Sequence, residues 1–318
     1  MINYYSLENE YFKNQASDEK NVFWVYAEAP TKEEVALLTK KYKMPADYIT
    51  SILDDSENSR SEELEQVHFE HPALLLLQYP YAITSPSGYL QITTLPFSVI
   101  VTPEKKIITV TNHTPVFMQE VISRKYPRND MSHSMNLLLQ LIWELSLSYN
   151  HYLQLLKTQS DKLEGELQVS TENSQLYQIM DIQKSLIYVE TATSANLETL
   201  SKLNRTQTFT SSHAYKIHLH DVLVETKQAL SSSQIQLKIV NQMTQTFSAI
   251  VSNNLNNVMK ILTSLTIVLT IPTIIGGLYG MNVKLPFAGR SDAFFWLCLL
   301  TIFLCTGTIY YLKKKHLL

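Results

Sequence analysis

The sequence predicts an α/β amino-terminal domain, a long helical segment and a carboxy-terminal pair of membrane-crossing helices. Three observations carry this. Two uncharged apolar runs, Ile261–Tyr279 and Ala293–Tyr311, lie back to back at the end of the 318-residue chain. Each is about 19 residues, roughly 28 Å at the helical rise, which matches a hydrocarbon core. Proline and glycine then divide the rest: prolines recur from Pro30 to Pro127, none follows until Pro272, and Gly165 is the only glycine between. Both residues destabilise helix interiors, so residues 129–258 have the composition of long helices. Residues 1–128, in contrast, alternate strand-like runs with helix-like stretches.

In chain order, the strand-like runs are Val22–Tyr26, Leu74–Leu77, Leu90–Thr93, Ser98–Val101 and Ile107–Val110, rich in β-branched and aromatic side chains. A helix is expected over Thr31–Lys43, opened by a Thr31 cap with Glu34 three residues on, and another over Pro115–Arg124. Strand order is not legible at this level. Residues 130 to about 205 read as two helices forming a hairpin, broken near Gly165–Thr171. A third helix starts near Ser211 and meets no breaker before Pro272, so it runs into the first apolar span. Some 70 residues would make a rod of roughly 105 Å. Its apolar stripe (Val240, Met243, Phe247, Ile250, Val258, Leu262) has bundle spacing and exceeds what one subunit can cover, which predicts an oligomer. The resulting division is 1–128, 129–258 and 259–318.

Charge sets the expected topology. Lys313, Lys314 and Lys315 follow the second span and Lys260 precedes the first; clustered lysines stay cytoplasmic and outweigh Lys284 and Arg290 in the loop. Both termini are therefore expected in the cytoplasm of a cell whose plasma membrane holds the hairpin, with Asn282 outside. The stretch Met1–Glu8 lacks the basic start and apolar core of a signal peptide.

Several function classes are excluded. A net charge of −3 from 29 acidic and 26 basic residues gives no nucleic-acid footprint. The two cysteines, Cys298 and Cys305, both fall in the second span, so no thiolate metal site is expected. No phosphate-cradling glycine loop, carboxylate pair or nucleophile–base set stands out, and neither an enzyme nor an organic cofactor is expected. His218 and His220 point about 200° apart on a helix, while His213 and His220 lie about 10.5 Å apart along it, too far to share one zinc ion.

A second stripe on the long helix is polar. Asn241, Gln245, Ser248, Ser252, Asn256, Met259, Thr263, Thr266, Thr270, Thr273 and Gly277 follow one another in ten steps over 36 residues, the helical period. Hydroxyls facing lipid are costly, so this face meets other helices or water. A helix–helix seam and a pore wall both remain open on the stripe alone. Its outer end adds Gly276, Gly277 and Gly280, which permit close approach, and then Asn282, whose carboxamide oxygen can face a mouth.

Tyr279-Gly280-Met281-Asn282 at the outer end of the first of two carboxy-terminal spans, with a lysine tail, resembles the CorA family of divalent-cation channels. The resemblance covers the layout of the whole chain. It implies a funnel-shaped homopentamer that passes Mg²⁺, and often Co²⁺ or Ni²⁺, with Gly280, Met281 and Asn282 as the filter and the polar stripe around the axis. Mg²⁺ dehydrates reluctantly, and a neutral Asn282 ring can hold its water shell without trapping it. Below, the threonine hydroxyls meet the hydrated ion, and Met259 with Leu262 is the expected apolar constriction. Inward movement through 100 mV gives a divalent ion about 4.6 kcal/mol, so no other energy source is needed.

The resemblance further implies regulation by internal Mg²⁺ at acids that bridge subunits. Asp221 matches one such acid by its distance from Asn282, and Asp54 and Asp55 lie near the region that matches its partner. Two departures stand out. Many relatives place acids after the tripeptide, where this chain has Val283-Lys284-Leu285-Pro286 and keeps Asp292 as its one loop acid. Some relatives also carry an acid where Gln245 stands. Transport of zinc or another transition metal is the alternative within the family, and a membrane-anchored helical sensor or scaffold the alternative outside it.

Overall fold

The computed structural model describes residues 1–17, 21–64, 70–126, 132–167, 172–206, 209, 212–283, 286 and 289–315. It divides into two compact units, residues 1–244 and 245–318. The first is built on a seven-stranded sheet in the order β2-β1-β3-β7-β6-β5-β4. Its strands are β1 Ile2–Glu8, β2 Tyr11–Gln15, β3 Trp24–Glu28, β4 Arg60–Glu62, β5 Ala73–Thr84, β6 Leu90–Val101 and β7 Ile107–Thr111. Every pairing is antiparallel except β3 with β7, where Trp24 lies opposite Ile107. The helices of this unit are α1 Lys32–Tyr42, α2 Asp47–Thr50, α3 Val116–Ser123, α4 His133–Leu167, α5 Asn173–Leu203 and the first part of α6 His213–Tyr279.

The positions of the helices hold, but the apolar stripe of α6 is partly covered within the chain: Val240, Met243 and Phe247 are buried, and only Val258 and Leu262 are exposed. Thr31 and Glu34 close the expected box: the Glu34 amide donates to Thr31 Oγ1 (3.3 Å) and the Thr31 amide to Glu34 Oε2 (2.9 Å). The helical hairpin forms with α4 passing through Gly165 to Leu167, and residues 168–171 lie outside the described ones. The strands differ more: β4 was not foreseen, and β5 extends to Thr84, well past Leu77. Leu90–Thr93 and Ser98–Val101, expected as separate strands around Pro96, form the single strand β6. Pro96 stands opposite Gln78, whose amide and carbonyl are engaged by Asn196 instead, so the missing proline N–H breaks no ladder bond. The β1–β2 hairpin was not foreseen. Its turn places Asn9 and Glu10 at φ 50° and 69°, with no glycine to announce it.

The run Leu74–Leu77 is apolar throughout because β5 is buried on both faces. On one face Val25, Ala27, Leu74, Leu76, Ile108 and Val110 pack with Leu38 and Tyr42 of α1 and Ile49 of α2. On the other, Phe117 of α3 meets Phe97 edge-on at 5.8 Å. There also Ser185 of α5 accepts from the Ile92 amide (2.9 Å), and the Tyr149 hydroxyl of α4 donates to the Gln78 carbonyl (2.8 Å). Strand β4 ends at Arg60, opposite Leu76. Beyond that end the Asn196 side chain, 1% exposed, substitutes for a strand. Its Nδ2 donates to the Gln78 carbonyl (2.8 Å), and its Oδ1 accepts from the Gln78 amide (3.0 Å) and the Ser59 hydroxyl (2.7 Å).

The second unit holds the remainder of α6 and the helix α7, Ala293–Lys314. Both carry stretches long and apolar enough to cross a membrane, with mean hydropathy 2.0 and 1.9, and only 6% and 0% of those stretches is buried by the rest of the chain. A buried core helix of a soluble domain is covered; these are not. The two helices meet along one seam. On α6 Ser264 is buried and Val268, Ile271 and Ile275 are half-buried; on α7 Leu297, Thr301, Cys305 and Thr308 are half-buried and Leu312 is buried. The spacing on both sides is one helical face. At mid-seam the Cys305 thiol points to the Val268 carbonyl (3.8 Å). Val268 is four residues before Pro272, so its carbonyl is the one that proline deprives of a helical donor. The thiol is a weak donor placed where the helix needs one.

Candidate functional site

The second unit contains the expected pore wall from Gln245 onward; Asn241, the first residue of the stripe, lies in the first unit, where its Oδ1 accepts from Gln183 (2.8 Å). On a helix at 100° per residue, Thr263, Thr266, Thr270, Thr273 and Gly277 share a direction about 150° from that of the seam residues Ser264, Val268, Ile271 and Ile275. The polar stripe is therefore not the face that α7 covers. Gln245, Ser248, Ser252, Asn256, Met259, Leu262 and the four threonines are all exposed. Three hydroxyls are oriented by the backbone: Thr266 donates to the Leu262 carbonyl (2.8 Å), Thr270 to Thr266 (2.7 Å) and Thr273 to Leu269 (2.9 Å). Each has given its proton to its own helix, so the oxygen lone pairs face outward as acceptors. A row of acceptors suits a hydrated cation, whose water shell presents hydrogens.

Helix α6 ends at Tyr279. The Gly280 amide still donates to the Gly276 carbonyl (2.9 Å), and Met281 tightens the last turn by donating to Leu278 (3.3 Å). A Cβ on Gly280 would sit 3.2 Å from the Gly276 oxygen, a tight contact that glycine avoids, and 3.7 Å from that of Gly277, an ordinary one. Asn282 follows, exposed, three residues past the end of the helix. The carboxyl end of α6, with its unpaired carbonyls and a partial charge of about −0.5, is directed toward it.

The one acid of the loop is already paired. Asp292 accepts from Arg290 Nε and a terminal nitrogen (both 3.0 Å) and from the Trp296 indole (3.2 Å). The Arg290 bonds hold its carboxyl below the usual carboxylate range. Lys313, Lys314 and Lys315 are exposed at the other end of α7.

The expected regulatory acids lie in the first unit. Asp221 of α6 is exposed and lines a groove of about 340 Å³ with Arg124, Lys125, Asn136, Gln140, Trp143, Glu144 and His218. Arg124 pairs with the buried Glu144, whose carboxyl burial nevertheless pushes up. Asp54 and Asp55 occupy an exposed turn after α2, where Asp54 accepts from the Ser56 amide (2.9 Å). Among the described residues, no three His, Cys, Asp or Glu converge at metal-binding distance. Within one chain, then, Asp221 is not gathered with the other two into a metal centre. The oriented hydroxyls and the Cys305–Val268 contact were beyond sequence reasoning; the available signal was Thr at every third or fourth position.

Comparison with known proteins agrees with this layout. The family model described as "CorA-like Mg2+ transporter protein" matches residues 19–314. The chain is 23% identical over 300 residues to the cobalt/magnesium transport protein CorA of Methanocaldococcus jannaschii, covering 94% of this chain and 92% of that one. The complete structure of the CorA magnesium transporter from the same organism superposes with a TM-score of 0.82 at 20% identity, covering 99% and 98% of the two chains. The full-length CmaX structure gives 0.72 at 13% identity, covering 99% and 97%. Both likenesses show the fold: an α/β domain, a long helix and two apolar carboxy-terminal helices.

Proposed function

The chain belongs to the CorA-like Mg²⁺ transporter family, and from that premise we propose that it is a channel for Mg²⁺ uptake, driven inward by the membrane potential. The ion enters hydrated at a ring of Asn282 side chains, passes the oriented hydroxyls of Thr273, Thr270 and Thr266 and the wall around Thr263 and Gly277, and leaves past Met259 and Leu262. Asn256, Ser252, Ser248 and Gln245 continue the path on the cytoplasmic side. One observation carries this reading: the polar face of α6 points away from the α7 seam and leads to Asn282. A stripe of hydroxyls opposite its own hairpin partner must meet water or further copies of itself, and a ring of copies supplies both. Five copies around an axis is the arrangement we infer. Both termini lie inside.

Flux into proteoliposomes held at an inside-negative potential tests the reading. Mg²⁺ uptake above empty vesicles is expected, with Co²⁺ and Ni²⁺ also passing. Zn²⁺ flux without Mg²⁺ flux would make the protein a transition-metal transporter, and no divalent flux would leave a scaffold. Mass measurement in mild detergent should give five times the mass of one chain; a monomer would sink the pore.

We further infer that Asp221 takes part in closure by internal Mg²⁺, together with Asp54 or Asp55 of a neighbouring copy. Its exposure and its separation from those acids within one chain fit a site completed by a neighbour. Asp221→Ala should weaken inhibition by millimolar internal Mg²⁺, raising the half-inhibiting concentration about threefold to tenfold, the loss of one charged ligand contact. An unchanged inhibition curve returns Asp221 to the solvated surface.

A further inference from the structure

Tyr279 is the last residue of α6 and immediately precedes the three residues of the mouth. By helical geometry it points about 160° from the polar stripe and about 50° from the seam with α7, so it does not face the ion path. Its ring lines a cavity of about 480 Å³ with Arg290, Ala293, Trp296, Leu297 and Leu300. Its hydroxyl donates to the main-chain carbonyl of Pro286 (3.2 Å). The chain leaving the helix is held at its start by the Gly280 and Met281 amides on Gly276 and Leu278. Asn282 lies between Tyr279 and Pro286 in the sequence.

We propose that Tyr279 is a positioning residue for Asn282: its hydroxyl ties the loop after the mouth back to the end of α6, and thereby sets the depth and radius at which the carboxamide meets the ion. The proposal rests on the reading of Asn282 as the mouth ring. A ring of acceptors discriminates between hydrated cations only if every copy holds the same geometry, and side chains on loops hold it only through such supporting bonds. The pairing of Asp292 with Arg290 removes the one carboxylate that would otherwise attract cations to a looser mouth.

The test compares Tyr279→Phe, Pro286→Ala and Asn282→Ala in the full-length protein, reconstituted in vesicles. Phenylalanine keeps the ring in its cavity and removes only the donor; Pro286→Ala keeps the carbonyl acceptor and serves as the control. Tyr279→Phe should assemble as the wild type does. It should raise the Mg²⁺ concentration at half-maximal flux about threefold to tenfold, the effect of one lost hydrogen bond per copy, and shift the ratio of Co²⁺ to Mg²⁺ flux. Amide exchange at Met281–Val283 should quicken in Tyr279→Phe and not in Pro286→Ala. Wild-type half-saturation, ion ratio and exchange in Tyr279→Phe, with Asn282→Ala inactive, would overturn the tether alone. Asn282→Ala conducting normally would overturn the mouth reading, and the tether with it. A Tyr279→Phe chain that no longer assembles would also overturn the proposal, since the hydroxyl would then serve assembly.

Discussion

Asn282→Ala should abolish most Mg²⁺ flux while the protein still folds and assembles. Asn282 is exposed beyond the end of α6, so no buried donor is stranded by its removal. Its loss removes one acceptor from every copy at once. Each acceptor is worth about 0.5–1.5 kcal/mol to a hydrated ion, and a whole ring should lower flux about tenfold or more. Asn282→Asp keeps the shape and adds charge. It should tighten ion binding and slow release, because conduction needs a site that is weak enough to leave. Mg²⁺ uptake in proteoliposomes, read beside oligomer mass, checks both. An alanine variant that assembles and conducts at the wild-type rate would remove Asn282 from the mouth.

The largest effect on stability is expected from Asn196→Ala. The Asn196 carboxamide is buried and takes both main-chain groups of Gln78 beyond the end of β4. Alanine leaves the Gln78 amide and the Ser59 hydroxyl without this acceptor in a site with little access to water. An unsatisfied buried polar group costs about 1–3 kcal/mol, so the variant should lose about 2–5 kcal/mol. The Gln78 carbonyl keeps the Tyr149 hydroxyl, which limits the loss. Thermal unfolding followed by intrinsic fluorescence should fall by several degrees, at roughly 2–4 °C per kcal/mol for a unit of this size. An unchanged midpoint would show that water replaces the carboxamide.

Much of this was legible in the residues. The spans were readable because lipid demands unbroken apolar length, and length is a property of sequence. The Thr31–Glu34 box was readable because its partners lie within one turn. The hydrophobic period placed the long helix, and the threonine period placed one polar face on it. For β6 the cause of the misreading was a partner distant in the chain. Pro96 looked like the end of a strand until Asn196, 100 residues later, was seen to hold the opposite residue. The β1–β2 hairpin lacked a glycine signal because Asn9 and Glu10 accept the left-handed conformation themselves.

The candidate site divides along the same line. Sequence alone determined that α6 carries a face of hydroxyls ending at Gly280-Met281-Asn282, since a helix of fixed period converts spacing into direction. It could not decide between a seam and a water-lined wall, because that depends on which face the neighbouring helix takes. Tertiary structure decided one part of it: α7 packs on Ser264, Val268, Ile271 and Ile275, so the hydroxyl face is not the seam of the hairpin. The reason is local and physical. That face offers a small residue and branched apolar side chains for close contact, and it carries the Val268 carbonyl that Pro272 leaves without a donor and Cys305 reaches. The hydroxyl face has already satisfied its protons within its own helix. It gains nothing from an apolar partner, and within the chain it is left exposed.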